Sequence, residues 1–91
     1  MKAVIYKSDF DINKYDLNDF VYLMNQEIII AFNVMPAQFK AIHTKLMQNI
    51  AEYEYVHEFF TDSKTDYLYY YRPVEYDKTK VKTLLIKELN K

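Results

Sequence analysis

EIIIAFNV, residues 27–34, decides the fold because it is apolar on both sides of an extended backbone. Successive side chains of a strand point to opposite faces. One face carries Ile28, Ile30, Phe32 and Val34. The other face stays mostly apolar through Ile29 and Ala31. Strands that are apolar on both faces are typical of the centre of a sheet, so we predict a central strand here.

The residues after this strand predict the main helix of the chain. Pro36 suits the first turn of a helix, and Asn33 or a neighbouring residue is expected to cap it. The apolar residues that follow recur at helical spacing, namely Phe39, Ile42, Leu46, Ile50 and Tyr53. The predicted helix covers residues 36–52.

Beyond residue 52 the apolar period falls from 3.6 to 2, which predicts a β-hairpin. Its strands are EYEYVHEFF, residues 52–60, and DYLYYYR, residues 66–72, and the polar segment TDSKT joins them. Pro73 is expected to end the second strand. A last helix follows, capped by Asp77 or Thr79, and its apolar stripe is Val81, Leu84, Leu85 and Leu89.

The N-terminal part begins with MKAVIYK, residues 1–7, whose alternation predicts a first strand. Two interpretations of residues 17–25 compete. Helical spacing relates Leu17, Phe20, Val21 and Met24, with Asp16 as the cap. The alternative is a strand 20–24 that turns at Asn25–Gln26, although a two-residue hairpin turn favours Asn-Gly. We favour the short helix.

These elements predict one compact α+β domain over residues 1–91, in the order β, short α, β, α, β, β, α. We expect a mainly antiparallel sheet, with the 36–52 helix and the C-terminal helix packed on one face. The predicted core consists of Ile28, Ile30, Phe32, Phe39, Ile42, Leu46, Ile50, Leu84, Leu85 and Leu89.

Glycine and cysteine are both absent from the 91 residues, although average usage would give about six glycines. The phosphate-binding loop, the dinucleotide fingerprint and the nucleophile elbow all need glycine. Without cysteine there is no disulfide and no thiolate site. We therefore predict a non-enzymatic protein without a cofactor, whose turns are built with Asn and Asp.

The segment DFDINKYDLND, residues 9–19, begins with the D-x-D-x-N spacing of a calcium-binding loop. Lys14 stands where that loop needs glycine, and Phe20 stands where it needs a bidentate glutamate. Asp and Asn side chains also bond nearby backbone N–H groups in turns and helix caps. The prediction is a turn followed by a helix cap, with no bound metal.

The two histidines, His43 and His57, offer little for catalysis or metal binding. Glu54-x-x-His57 resembles one half of a helical di-metal site, but it occurs once and on a predicted strand. His43 borders the apolar stripe of the main helix. We predict no metal or catalytic role for either. Glu52, Glu54 and Glu58 share a face of the predicted strand and are interpreted as its solvated side.

Tyrosine is concentrated in the hairpin: seven of the ten lie between residues 53 and 76. If one hairpin face covers the helices, the other presents aromatic side chains to solvent; the alternative is that both faces are packed. Exposed tyrosines are typical of protein interfaces. We expect the chain to bind another protein, either a host factor or a second copy. The predicted contact residues are Tyr67, Tyr69, Tyr71, Tyr55 and Phe59.

The alternative function is binding of single-stranded nucleic acid, with bases stacked on the tyrosines and phosphates on nearby cations. The candidate cations are Lys78, Lys80, Lys82, Lys87 and Arg72. The net charge of −1 disfavours this alternative. An abundance of residues with A/T-rich codons indicates a low-GC source and an accessory protein of a phage or plasmid. No apolar run reaches the length of a membrane span, so we expect a cytoplasmic protein.

Overall fold

The computed structural model describes residues 1–48, 50, 54–62 and 65–91, with side chains given outside 61–67. The chain forms β1 (Lys2–Tyr6), α1 (Leu17–Asn25), β2 (Ile28–Phe32), α2 (Pro36–Leu46), β3 (Tyr55–Asp62), β4 (Thr65–Pro73) and α3 (Lys78–Leu89). The α+β class and the order of elements are confirmed, including a helix rather than a strand at residues 17–25. The predicted extension of the main helix to residue 52 is corrected, because α2 ends at Leu46 and Met47 occupies the C-cap position. Residues 49 and 51–53 lie outside the described part.

The four strands lie in the order β1-β2-β4-β3. β2 pairs with β1 in parallel and with β4 antiparallel, so its predicted central position is confirmed. β4 also pairs antiparallel with β3. The sheet is mixed because α1 carries the chain back to the start of the sheet before β2 begins, as a parallel pair requires.

Helices cover both faces of this sheet. On one face α1 and α2 pack against β2 and β4 through a cluster that includes Phe20, Phe39, Ile30 and Tyr71. On the other face α3 packs through Val81 and Leu85 against β2 and β4. The expectation that α2 and α3 share one face is therefore corrected. The reason is that β2 and β4 are both apolar on both sides, so each face needs a cover.

The predicted core is largely confirmed. Of its ten members, all are buried except Ile28, Leu84 and Leu89, which are half-buried. The largest buried side chains that the predicted core omitted are Tyr70 and Tyr71, which are 0% and 1% exposed. Pro73 is the last residue of β4, as expected. No helix in the described part of the chain has the length and apolarity of a membrane span.

The aspartate-rich segment builds turns and caps, as predicted. Asp11 accepts a hydrogen bond from the Asn13 backbone N–H at 3.0 Å and caps a 3-10 turn over Ile12–Lys14. Asp16 accepts from the Asn18 N–H at 2.9 Å and caps α1. The predicted cap of α2 differs, because Met35 occupies that position and makes no side-chain bond there.

Among the described residues, Glu27 has a left-handed backbone conformation, with φ of 61°. It follows the cap of α1 and precedes β2. Asn or Asp was expected at such positions, because their short side chains tolerate this conformation. The chain therefore holds a glutamate in a conformation that costs roughly 1 kcal/mol in order to join α1 closely to β2.

Asp77→Ala is expected to lower the free energy of unfolding by about 1 kcal/mol, the usual cost of losing a helix cap. The Asp77 carboxylate accepts from the backbone N–H groups of Thr79 at 2.8 Å and Lys80 at 3.1 Å, and alanine removes both bonds. Urea denaturation measures the change. Asp9→Ala, at an exposed aspartate outside every helix, is the control and should melt as the parent does. Equal losses in both variants would contradict the capping role.

Candidate functional site

Hydrogen bonding fixes which backbone groups of β3 face β4. The Val74 N–H donates to the Glu54 carbonyl at 3.0 Å. Bonded and non-bonded pairs alternate along an antiparallel ladder, so the next pair, Tyr55 with Pro73, is non-bonded. Pro73 suits this position because it has no N–H to donate. By the same alternation, the backbone N–H and C=O groups of Tyr55, His57 and Phe59 point away from β4.

The side chains of these three residues form a row on the α2 side of the sheet, which we call the edge row. Tyr55 is half-buried, His57 is exposed, and Phe59 is 49% exposed. The Phe59 ring lies 5.0 Å from the Tyr69 ring, between centroids. Tyr69 in turn stacks on Phe39 of α2 at 4.1 Å. The edge row therefore rests on a packed aromatic support.

Edge strands are commonly protected by lysine, proline, bulges or inward-pointing charges, and β3 has an inward-pointing charge and a register shift. Between Tyr55 and Phe60 its one charged side chain is Glu58, which points to the α3 face. A register shift interrupts the pairing only beyond Phe60. The other sheet edge, β1, begins at Lys2 and is followed directly by Lys7. Of the two edges, β3 is the longer, and it carries no lysine or proline between Tyr55 and Phe60.

The structure brings His43 of α2 against His57 of the edge row. The ring centroids of His43 and His57 are 4.4 Å apart, and His43 Nδ1 lies 2.6 Å from the Tyr71 hydroxyl. Phe39 lies against both imidazoles. Among the described residues, no group of three or more His, Cys, Asp or Glu side chains is arranged to hold a metal ion. The geometry indicates that the histidines pack β3 onto α2.

The predicted tyrosine surface is only partly present. Tyr71 is buried beneath α2, so it offers no contact area to a partner, and this part of the prediction is corrected. Tyr69 is half-buried, and the side chain of Tyr67 lies outside the described residues. The prediction assumed that only one hairpin face meets helices, whereas both faces of β4 are packed, which was the stated alternative. Among the hairpin's tyrosine and phenylalanine side chains that the structure describes, the exposed one is Phe59 on the neighbouring strand.

On the α3 face, Glu58 joins β3 to β4 through a partly buried ion pair. Its Oε1 accepts from Arg72 Nη2 at 2.8 Å, and the two side chains are 17% and 13% exposed. Its Oε2 accepts from the Tyr70 hydroxyl. The interpretation of Glu58 as solvated is therefore wrong, because hairpin pairing sets it directly opposite Tyr70. Glu54 is exposed as expected, and Glu52 lies outside the described residues.

Arg72 also closes the turn that leads from β4 to α3. Its Nη1 donates to the backbone carbonyls of Tyr76 at 2.9 Å, Val74 at 3.2 Å and Pro73 at 3.4 Å. Its guanidinium is thus committed to the protein's own carboxylate and backbone. Arg72, a candidate phosphate contact from the sequence, serves a structural role in this geometry.

Acidification is expected to remove the stability that Glu58 provides. Burial alone would raise the pKa of Glu58, but hydrogen bonds from Arg72 and Tyr70 outweigh it and hold the pKa below its ordinary value. Because the pKa of Glu58 is lowered in the folded protein, its interactions stabilise the fold at pH values above the ordinary glutamate pKa, about 4.3. This stability is lost as the pH falls through the pKa of Glu58 in the folded protein. Urea denaturation between neutral and acidic pH measures the loss. Glu58→Gln should be less stable at neutral pH and should lose less on acidification; an unchanged pH dependence would contradict this role.

The lysines of α3 lie away from the edge row. Lys78, Lys80 and Lys87 are exposed, and Lys82 is half-buried. Lys78 Nζ approaches Glu58 Oε1 at 3.9 Å. Their helix covers the opposite sheet face from Tyr69 and Tyr71. A surface that combines stacked bases with lysine-bound phosphates needs both sets on one side, and the fold does not place them so.

An acidic cleft of about 700 Å³ opens at the Tyr55 end of the edge row. Its lining includes Glu27, Glu54, Glu75, Tyr55 and Tyr76. Burial and the neighbouring glutamates raise the pKa of both phenols, so they stay protonated at neutral pH. The Tyr55 hydroxyl donates to Asn25 Oδ1 at 2.8 Å, which ties β3 to α1. A partner that reaches this end of β3 meets negative charge.

Comparison of the chain with protein-family models, with curated proteins and with solved structures finds no match. The interpretation of the site therefore depends on its own geometry.

Proposed function

We propose that this chain is a small non-enzymatic module that binds another protein through the open edge of β3. The observation that supports this most directly is that the edge strand β3 carries outward-facing backbone groups beside a row of side chains that includes the 49%-exposed Phe59. An extended segment of a partner can pair with such a strand. Main-chain hydrogen bonds then provide affinity, and contacts with alternate side chains provide specificity.

Phe59 is the residue on which this binding should depend most. It is 49% exposed, and the Tyr69–Phe39 stack supports its ring. A large apolar side chain held in place before binding loses little conformational freedom when a partner covers it. Such residues dominate the binding free energy of interfaces, and truncation of one of them commonly costs about 2 kcal/mol or more.

The acidic cleft adds a preference for the partner's chemistry. Glu27, Glu54 and Glu75 lie at the Tyr55 end of β3, whereas the Phe59 end is aromatic. A complementary segment would carry apolar residues opposite the edge row and a lysine or arginine at the Tyr55 end. With the low-GC composition, we propose a host protein as the partner of an accessory protein that modulates it.

Capture of partners from a low-GC bacterial lysate tests the proposal. Phe59→Ala is expected to abolish capture, because it removes the exposed phenyl ring of the edge row. Tyr22→Ala is the matched control, since Tyr22 is 63% exposed on α1 and should not matter. Circular dichroism verifies that both variants are folded. Equal capture by Phe59→Ala and the parent would show that the edge row is not the binding surface.

A binding assay with single-stranded DNA and RNA at low salt tests the alternative function. Because the lysines of α3 and the edge row lie on opposite faces, we expect no binding that depends on both. Tight binding that weakens steeply with salt, and that is lost on substitution of Lys80 and Lys82, would favour nucleic acid as the partner and contradict the proposal.

A further inference from the structure

We infer that the acidic cleft at the Tyr55 end of β3 receives one arginine side chain of the protein partner. This inference rests on the proposed function and names the residue that the partner contributes. The cleft, of about 700 Å³, lies where the end of α1, the start of β3 and the turn after β4 meet. Clefts that hold ligands usually measure about 300–1,000 Å³, so a side chain of a partner can enter this one.

The charge of the lining selects a cation. Glu27, Glu54 and Glu75 come from three separate parts of the chain, and the described lining contains no lysine or arginine. Within the part of the chain that the structure describes, none of these three carboxylates forms an ion pair. Their negative charges repel one another, and a bound cation relieves that repulsion.

Two phenol rings lie within reach of these carboxylates. Burial and the charges of Glu54 and Glu75 raise the pKa of Tyr55, and burial and the charges of Glu27 and Glu75 raise the pKa of Tyr76. Glu75 thus acts on both rings. A cation that contacts both rings would therefore interact with all three carboxylates.

The walls of the cleft favour an organic cation over a metal ion. Among the residues that the structure describes, no three His, Cys, Asp or Glu side chains are arranged to hold a metal ion together. The lining also contains apolar side chains: Met24 is 2% exposed, Pro73 is buried, and Val74 is 48% exposed. A side chain with an apolar stem and a charged head suits such a lining.

Arginine fits the cleft better than lysine does. A guanidinium is planar, so it can stack on a phenol ring while its N–H groups bind a carboxylate in pairs. Each ring follows an acid in the chain, as Glu54–Tyr55 and Glu75–Tyr76. The Tyr55 ring is held in place before binding, because its hydroxyl donates to Asn25. The ammonium of lysine is a compact, strongly hydrated charge without a planar group to stack.

An NMR titration of the full chain with N-acetyl-arginine amide tests the cleft directly. We expect saturable shifts of the backbone amides of Asn25, Glu75 and Tyr76, with a dissociation constant on the order of 1 mM. Binding should weaken as salt is added. N-acetyl-citrulline amide, which has nearly the same shape without the charge, should cause no saturable shift, and the corresponding lysine amide should bind more weakly. Equal binding of the citrulline or the lysine compound overturns the inference.

Substitutions in the lining test the site. Glu54→Gln and Glu75→Gln each remove one charge at an exposed position, and each should raise the dissociation constant of the arginine compound about fivefold or more. Asp9→Asn is the matched control, since Asp9 is also exposed but lies outside the lining. An equal rise in all three variants would show that net charge rather than the cleft attracts the cation, and would overturn the inference.

Capture from the lysate separates this inference from the function on which it rests. If capture depends on Phe59 but the arginine compound does not bind, the inference is overturned and the proposed function stands. If the arginine compound binds through Glu54 and Glu75 but capture does not depend on Phe59, the cleft is supported and the edge row is overturned as the binding surface. The absence of both overturns both.

Discussion

Leu46→Asp is expected to lower the free energy of unfolding by about 4 kcal/mol, because it sets an unpaired charge in an apolar core. Leu46 is 1% exposed and belongs to the cluster that α1 and α2 form with the sheet. A small domain has only about 5–15 kcal/mol to lose, so this variant should unfold at a much lower urea concentration.

Ala41→Asp is the matched control for this prediction. It makes a comparable substitution on the same helix, but Ala41 is exposed. Its expected cost is small, since surface substitutions away from special features usually change stability by about 0.5 kcal/mol or less. If Leu46→Asp and Ala41→Asp unfold at the same urea concentration, the orientation of α2 on the sheet is wrong.

Arg72→Ala is expected to cost about 3 kcal/mol, since breaking this largely desolvated ion pair leaves Glu58 with only the more distant Lys78 as a cation. Glu58 would keep only the Tyr70 hydroxyl as a close donor, and the turn from Pro73 to Tyr76 would lose its bonds to the guanidinium. Thermal and urea denaturation measure the change, and Glu58→Gln should reproduce part of it.

Lys78→Ala is the control for the ion pair. Lys78 also approaches Glu58, at 3.9 Å, but its side chain is 56% exposed. Exposed pairs contribute about 0–1 kcal/mol, so the variant should be close to the parent in stability. If Lys78→Ala lowers the free energy of unfolding as much as Arg72→Ala does, the greater burial of Arg72 does not make its ion pair the stronger one.

Periodicity was sufficient to predict the elements. The stretch 27–34 is apolar on both faces, and it forms the internal strand β2. Asp16 and Asp77 mark the starts of α1 and α3, since their side chains bond the first backbone N–H groups. These signals are local, and a local pattern is enough to place a helix or a strand.

The errors concern relations between elements. An alternating strand shows which residues share a face, but not which helix covers that face. Tyr71 was therefore assigned to a surface that α2 in fact covers. Glu58 shows a signal that was present but not used: the hairpin register places it opposite Tyr70 and near Arg72. The position of β3 at the sheet edge follows from the strand order, which periodicity does not contain.

Hydrogen exchange at individual amides of β3 tests the central claim, that this edge is open, most directly. In protein kept monomeric by dilution, the amides of His57 and Phe59 should exchange rapidly, whereas those of Val56 and Glu58, which face β4, should be protected. On association with a partner strand, His57 and Phe59 should become protected as well. Equal and slow exchange of all four amides in the monomer would show that the edge is already covered and would contradict the account.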